Sequence, residues 1–176
     1  MALAISKRLI STLLESDPNY IICQLTVGEA MVIVCNLYWP SGSLQHPVVL
    51  RCTRVLRELH NKFNRAKFIL LGDLNRGIEE VSEWSWRLPG AIARIPARGA
   101  QGTFHGYRPT MEASAIDHIL LGRPDGQWCT TVLRQWSDSD HWPLYLNLRL
   151  EFCRVPVEEG QKTLYQRKFS HRGKQV

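Results

Sequence analysis

The chain has 176 residues, 44% of them hydrophobic and 22% charged, with a formal net charge of +6. That composition fits one globular domain with a buried core, and it argues against disordered, fibrous and disulfide-stapled classes. No apolar run approaches the roughly eighteen residues of a membrane-spanning helix, while the basic balance points to a polyanionic partner such as nucleic acid.

The opening Met1-Ala-Leu-Ala-Ile-Ser has no cationic residue ahead of its short apolar stretch, so a secretory leader is not expected. Ala2–Ile5, Tyr20–Val27 and Met31–Leu37 read as strands, the last two joined by a hairpin turn at Gly28-Glu29. After a loop at Trp39-Pro40-Ser41-Gly42, Pro47 suits the first turn of a helix. Val48, Cys52, Val55, Leu56, Leu59 and Phe63 share one face of that helix, and Arg51, Arg54, Glu58, Lys62 and Arg65 fall mostly on the other.

Lys67–Leu71 is short, almost wholly apolar and followed by Gly72, which predicts a strand buried on both faces. From Gly72 to about Tyr107 the pattern is irregular, the kind of long connection that carries function. Strands return at Ile116–Leu121, Cys129–Gln135 and Leu144–Leu150, with a turn at Pro124-Asp125-Gly126. Residues 154–176 hold six Lys and Arg against two Glu, so +4 of the +6 lies in a basic tail expected to be flexible, after a domain spanning 1–153. Cys23, Cys35, Cys52, Cys129 and Cys153 are odd in number and contain no C-x-x-C pair. They read as buried thiols rather than zinc ligands, in a reducing nuclear or cytoplasmic compartment.

The residues with chemistry lie where strands end. Asp73 and Asn75 leave the buried strand on alternate positions, so both can project to one side. A carboxylate there can hold a hard cation or take a proton from water, and a carboxamide donates to phosphoryl oxygen without adding repulsion. Asp138-Ser139-Asp140-His141 and Asp117-His118 form two further constellations. A carboxylate bonded to an imidazole fixes its tautomer and favours its cationic form, which stabilises charge on a phosphate.

Four of these segments in order resemble the endonuclease/exonuclease/phosphatase superfamily, and within it the apurinic-type endonucleases of non-LTR (LINE-like) retrotransposons. Asn36-Leu37-Tyr38-Trp39-Pro40 is similar to its strand-end Asn-x-Tyr-x-Pro, and Gly72-Asp73-Leu74-Asn75 to its Gly-Asp-x-Asn. Ile116-Asp117-His118-Ile119-Leu120 resembles its penultimate Asp strand, and Ser139-Asp140-His141 its terminal Ser-Asp-His. The resemblance implies an α/β four-layer sandwich: two mostly antiparallel sheets face to face with helices outside, of the DNase I type.

It also implies roles. Asp73 would activate or orient the attacking water, Asn75 and Tyr38 would position the phosphate, Asp117 would orient His141, and His141 would stabilise developing charge. Asp140 and Asp73 would hold a divalent ion, Mg²⁺ or Mn²⁺. Thr103-Phe104 resembles an element that buttresses the site. Arg76, Arg94 and Arg98 could meet a nucleic-acid backbone, although the ordinary expectation for each is a solvent-exposed side chain.

The activity implied is nicking of DNA, with a reverse transcriptase as a fused or downstream partner in a parent polyprotein. The chain departs from the family pattern at its start. The strands that deliver an Asn and a metal-binding Glu have no counterpart, and Glu15 and Glu29 lie in the wrong places. It therefore resembles an amino-terminally truncated domain. Two other readings stand beside nicking: a non-catalytic remnant or nucleic-acid-binding module, and a phosphatase or phosphodiesterase of the same superfamily.

Overall fold

The first sheet grows from two tight reversals. Asp17 accepts the Asn19 N–H on Oδ1 at 3.1 Å, an Asx turn between β1 (Ile10–Asp17) and β2 (Tyr20–Val27). Gly28, with φ of 61°, then turns the chain into β3 (Ala30–Tyr38), as the sequence predicts. The protein is described by a computed structural model at residues 3–96, 102–105, 114–122, 127–133 and 139–149.

α1 (Pro47–Lys62) starts with proline in its first turn and with His46 as its cap, the imidazole Nδ1 accepting from Val48 N–H at 3.2 Å. It buries Val49, Cys52, Val55, Leu56 and Leu59. Val49 thus takes the core position expected for Val48, which packs with Phe63 at the edge of the same face. α1 is the crossover that lets β4 (Lys67–Asp73) lie parallel to β3. Then come α2 (Ile78–Trp86), β5 (Ile92–Arg94), β6 (Asp117–Gly122), β7 (Gln127–Val132) and β8 (Leu144–Arg149).

Six strands form one sheet in the order β1-β2-β3-β4-β6-β5, antiparallel except at β3–β4, and β7 and β8 form a second, antiparallel sheet. Alternation sorts the side chains. Ile33, Cys35, Leu37, Phe68, Leu70 and Leu120 join both helices in the main core, while Ile119 and Leu121 face Leu144, Leu146 and Leu148 of the second sheet. The result is the expected class: two stacked, mostly antiparallel sheets with helices outside, both described helices lying on the larger sheet. No described helix is long and apolar enough to cross a membrane. Cys23, Cys35 and Cys52 are buried free thiols, and Cys129 is half-buried and free.

The structure corrects three readings. Residues 3–5 are not a strand; the first strand is Ile10–Asp17, a mostly exposed edge whose mixed pattern carries little periodic signal. The segment from Gly72 to Tyr107 contains α2 and β5, because α2 buries just Val81, Trp84 and Ser85, too few to show helical spacing. β4 is buried on its helix face at Phe68 and Leu70, whereas Ile69 and Leu71 are half-buried, since the two-stranded sheet covers the other face incompletely. The Pro124-Asp125-Gly126 turn, Asp138, Arg98, Cys153 and the basic segment 154–176 lie outside the described residues.

Candidate active site

Three neighbouring strands end at one edge of the large sheet. Their register places Tyr38 of β3 opposite Asp73 of β4, and Asp73 opposite Asp117 of β6. Partners in register share a face, so all three side chains leave the sheet on the side of the small sheet. Tyr38 is exposed, and both aspartates are half-buried.

The Gly72-Asp73-Leu74-Asn75 segment has a physical reason for each residue type. A Cβ on Gly72, where φ is 138°, would stand 1.9 Å from the Leu37 carbonyl oxygen, so no other residue fits between β3 and β4. Asn75 adopts φ of 47°, a left-handed conformation that asparagine tolerates. Its N–H donates to Asp73 Oδ1 at 2.9 Å and its Nδ2 to the Trp39 carbonyl at 2.8 Å. Trp39 donates its own N–H to the Asp73 carbonyl at 3.0 Å, and its ring meets Trp84 of α2 edge-on at 4.6 Å. Both loops of the site are therefore pinned to the helix layer.

His141 reaches the same edge from the other side. Its Nδ1 lies 2.8 Å from Asp117 Oδ2, and its ring packs on Phe104 with centroids 5.0 Å apart. Thr103 joins the two halves: its hydroxyl oxygen accepts from the Asp117 N–H at 3.0 Å, and its carbonyl accepts from the Trp142 N–H at 2.7 Å. Burial by itself would lower the His141 pKa. The hydrogen bond and charge of Asp117, with the charges of Asp73 and Asp140, outweigh it and raise the pKa above the ordinary histidine value. Asp73 is also shifted upward, first by burial and then by repulsion from Asp117, against the lowering effect of the Asn75 N–H.

A second network lies behind the first. His118 is buried; its Nδ1 accepts from Arg94 Nε at 2.9 Å, and its Nε2 stands 2.8 Å from the Arg76 carbonyl. An acceptor on one nitrogen and a donor on the other define the neutral imidazole, and burial lowers the His118 pKa accordingly. Arg76 is 2% exposed, contrary to the expectation of a surface or backbone-contacting arginine. Its guanidinium donates to the carbonyls of Pro40, Asn75 and Ser43 at 3.1, 2.7 and 3.1 Å, tying the loop after β3 to the loop after β4. Arg94 is half-buried rather than exposed. The sequence singles out both arginines but not their burial, because nothing local marks a guanidinium that folds back onto backbone carbonyls, as in Arg76, or onto a buried imidazole, as in Arg94.

Asp73, Asp117 and His141 each offer a ligand atom, and the three atoms lie within 4.8 Å of one another. The two carboxylates in that span suit Mg²⁺ or Mn²⁺, while the His141 ring is held by Asp117. Asp140 stands outside this group. It is half-buried, its carboxylate accepts from the Ser139 hydroxyl at 3.3 Å, and its carbonyl accepts from the His105 N–H.

No protein-family model matches the sequence, and no curated protein matches it. Solved structures do. The endonuclease domain of TRAS1, a telomere-specific non-LTR retrotransposon, superposes with a TM-score of 0.60 at 14% identity over 84% of this chain and 72% of that one. An endonuclease/exonuclease/phosphatase family protein from Bacteroides thetaiotaomicron gives 0.54 at 17% identity over 76% and 55%. The fold is that of the endonuclease/exonuclease/phosphatase proteins. Beta toxin of Staphylococcus aureus, as a mutant with bound magnesium ions, shares this fold with a TM-score of 0.57 at 14% identity over 73% and 57%. The chain thus spans little more than half the length of two of these three, and at such identities the likeness is one of fold.

Proposed function

We propose that the chain is a Mg²⁺- or Mn²⁺-dependent phosphodiesterase that nicks DNA, of the kind carried by non-LTR retrotransposons. The observation that carries the reading is the convergence of Asp73, Asp117 and His141 at adjacent strand ends of this fold. The likeness to the TRAS1 endonuclease domain and the net basic charge favour DNA as the partner. A reverse transcriptase in the same polyprotein and a nuclear or cytoplasmic setting follow from that ancestry.

In this reading Asp73 takes the proton of the attacking water, whose oxygen forms the new P–O bond as the bond to the leaving oxygen breaks in line. His141, held by Asp117, faces the phosphate as a cation and stabilises the charge that develops. The second N–H of the Asn75 amide, beyond the one given to Trp39, and the Tyr38 hydroxyl orient the phosphate. Asp73 and Asp117 would hold the ion, with Asp140 as a further carboxylate on the same edge. The ion would supply polarisation of a phosphoryl oxygen.

The test is conversion of supercoiled plasmid to open circle by the purified chain, beside EDTA and Asp73→Ala controls and a phosphomonoester substrate. Nicking lost in both controls supports the endonuclease. A folded, monodisperse chain that nicks nothing defeats it, and turnover of the phosphomonoester alone would make the chain a phosphatase.

A further inference from the structure

Arg94 is a half-buried cation at the edge of the large sheet. It closes β5, whose register on β6 runs from Ile92 opposite Gly122 to Arg94 opposite Leu120, so the strand advances toward the edge where Asp117 stands. Its Nε is spent on the neutral His118 ring. No carboxylate pairs with it among the described residues, and burial is what lowers its pKa. A partly desolvated guanidinium without a counter-charge is costly unless a ligand supplies one.

The surroundings suit such a ligand. Arg94 lines a cavity of about 300 Å³ whose wall also includes Thr103, Asp117 and His118, with Ile95 and Leu144 as apolar sides. Arg94 and Asp117 of the candidate site thus border one cavity, Arg94 sharing the helix side of the sheet with its register partner Leu120 and Asp117 leaving on the other. With Nε fixed on His118, the terminal nitrogens keep four N–H donors in a planar fork, the geometry that matches two oxygens of a phosphate.

We propose that Arg94 is a second phosphate subsite, which grips a backbone phosphate neighbouring the one cleaved at Asp73, Asp117 and His141. It deepens the phosphodiesterase reading and rests on it for the identity of the ligand as a polynucleotide. Asp117 repels a phosphate from its own end of the cavity, so the anion docks at the arginine end. His118 is the positioning residue. Being neutral, it orients the fork without adding charge of its own.

The experiment is binding of a ten-nucleotide oligothymidylate in EDTA, with the dissociation constant measured across a series of salt concentrations. Arg94→Gln should weaken binding about tenfold and flatten the slope of log K against log salt by about 0.7, the value for one phosphate contact on a single strand. Arg94→Lys should keep the slope. The Arg94 Nε–Hε resonance of the unaltered protein should shift as oligonucleotide is added, a readout that needs no variant to fold. An unchanged slope in Arg94→Gln, or an unmoved Arg94 resonance while oligonucleotide binds, overturns the subsite and leaves Arg94 a support for His118. Because binding is read without metal or turnover, a chain that nicks nothing yet moves Arg94 defeats the endonuclease and keeps the subsite; a nicking chain with Arg94 unmoved does the reverse.

Discussion

The carboxylate of Asp117 lies 2.8 Å from Nδ1 of His141, 24 positions further along the chain. The pair spans the two sheets, since Asp117 begins β6 and His141 precedes β8. It gives the imidazole a fixed orientation and a preference for its charged form.

Removing the carboxylate should release both. In Asp117→Asn, the His141 titration midpoint, followed by NMR of the metal-free protein, should fall toward the ordinary histidine value, and kcat for nicking should drop by about 10²-fold or more. A midpoint that stays where it was would mean that Asp117 does not govern the ring.

The same pair fixes a sign for stability. The folded-state pKa of His141 is raised, so the protonated ring stabilises the fold fully below the unfolded value of about 6.5, and that contribution disappears as pH rises through the folded midpoint. Urea midpoints of the metal-free protein should therefore fall across that window, and Asp117→Asn should flatten the dependence.

Asp73 should behave in the opposite sense. Its ionised form is disfavoured by burial and by Asp117, so Asp73→Asn, whose side-chain oxygen can still accept from the Asn75 N–H, should be at least as stable as the parent in urea. Nicking should nevertheless fall by about 10²-fold or more, with Mn²⁺ binding weakened in calorimetry. A parallel loss of stability and activity would reduce Asp73 to a structural residue.

Arg76→Gln removes three hydrogen bonds from a buried cation and leaves the carbonyls of Pro40, Ser43 and Asn75 without their partner. The expected cost is about 2 kcal/mol in urea unfolding, with faster amide exchange in both loops. Gly72→Ala is more severe. With its Cβ directed into the Leu37 carbonyl, it should cost about 4 kcal/mol or more, read as loss of the cooperative transition.

What the sequence makes legible follows from which interactions are local. Gly72, Asp73 and Asn75 stand out because one short turn needs a Cβ-free residue, an acceptor and a left-handed residue in that order. Asp117 stands out because it opens an apolar strand. The α1 face is legible to within one residue, Val49 replacing Val48, because sixteen residues give the period room to declare itself. The partners of His118, Arg94 and Arg76 are illegible for the opposite reason. Their contacts join positions 24 and 42 apart, and no periodicity encodes them. β1 escapes notice because an exposed edge strand has little hydrophobic pattern to betray it.

The register that sets Asp73 opposite Asp117 makes the gap between them a property of peptide hydrogen bonding. Two strands of an antiparallel pair hold opposed Cα atoms about 4.5 to 5.5 Å apart whatever their side chains are. The acid spacing is thus a ruler cut into the backbone, indifferent to drift in the core around it. Novelty in such a site has to come from the loops that frame it, because the ruler itself can be changed only by slipping a strand and turning every residue of β6 over.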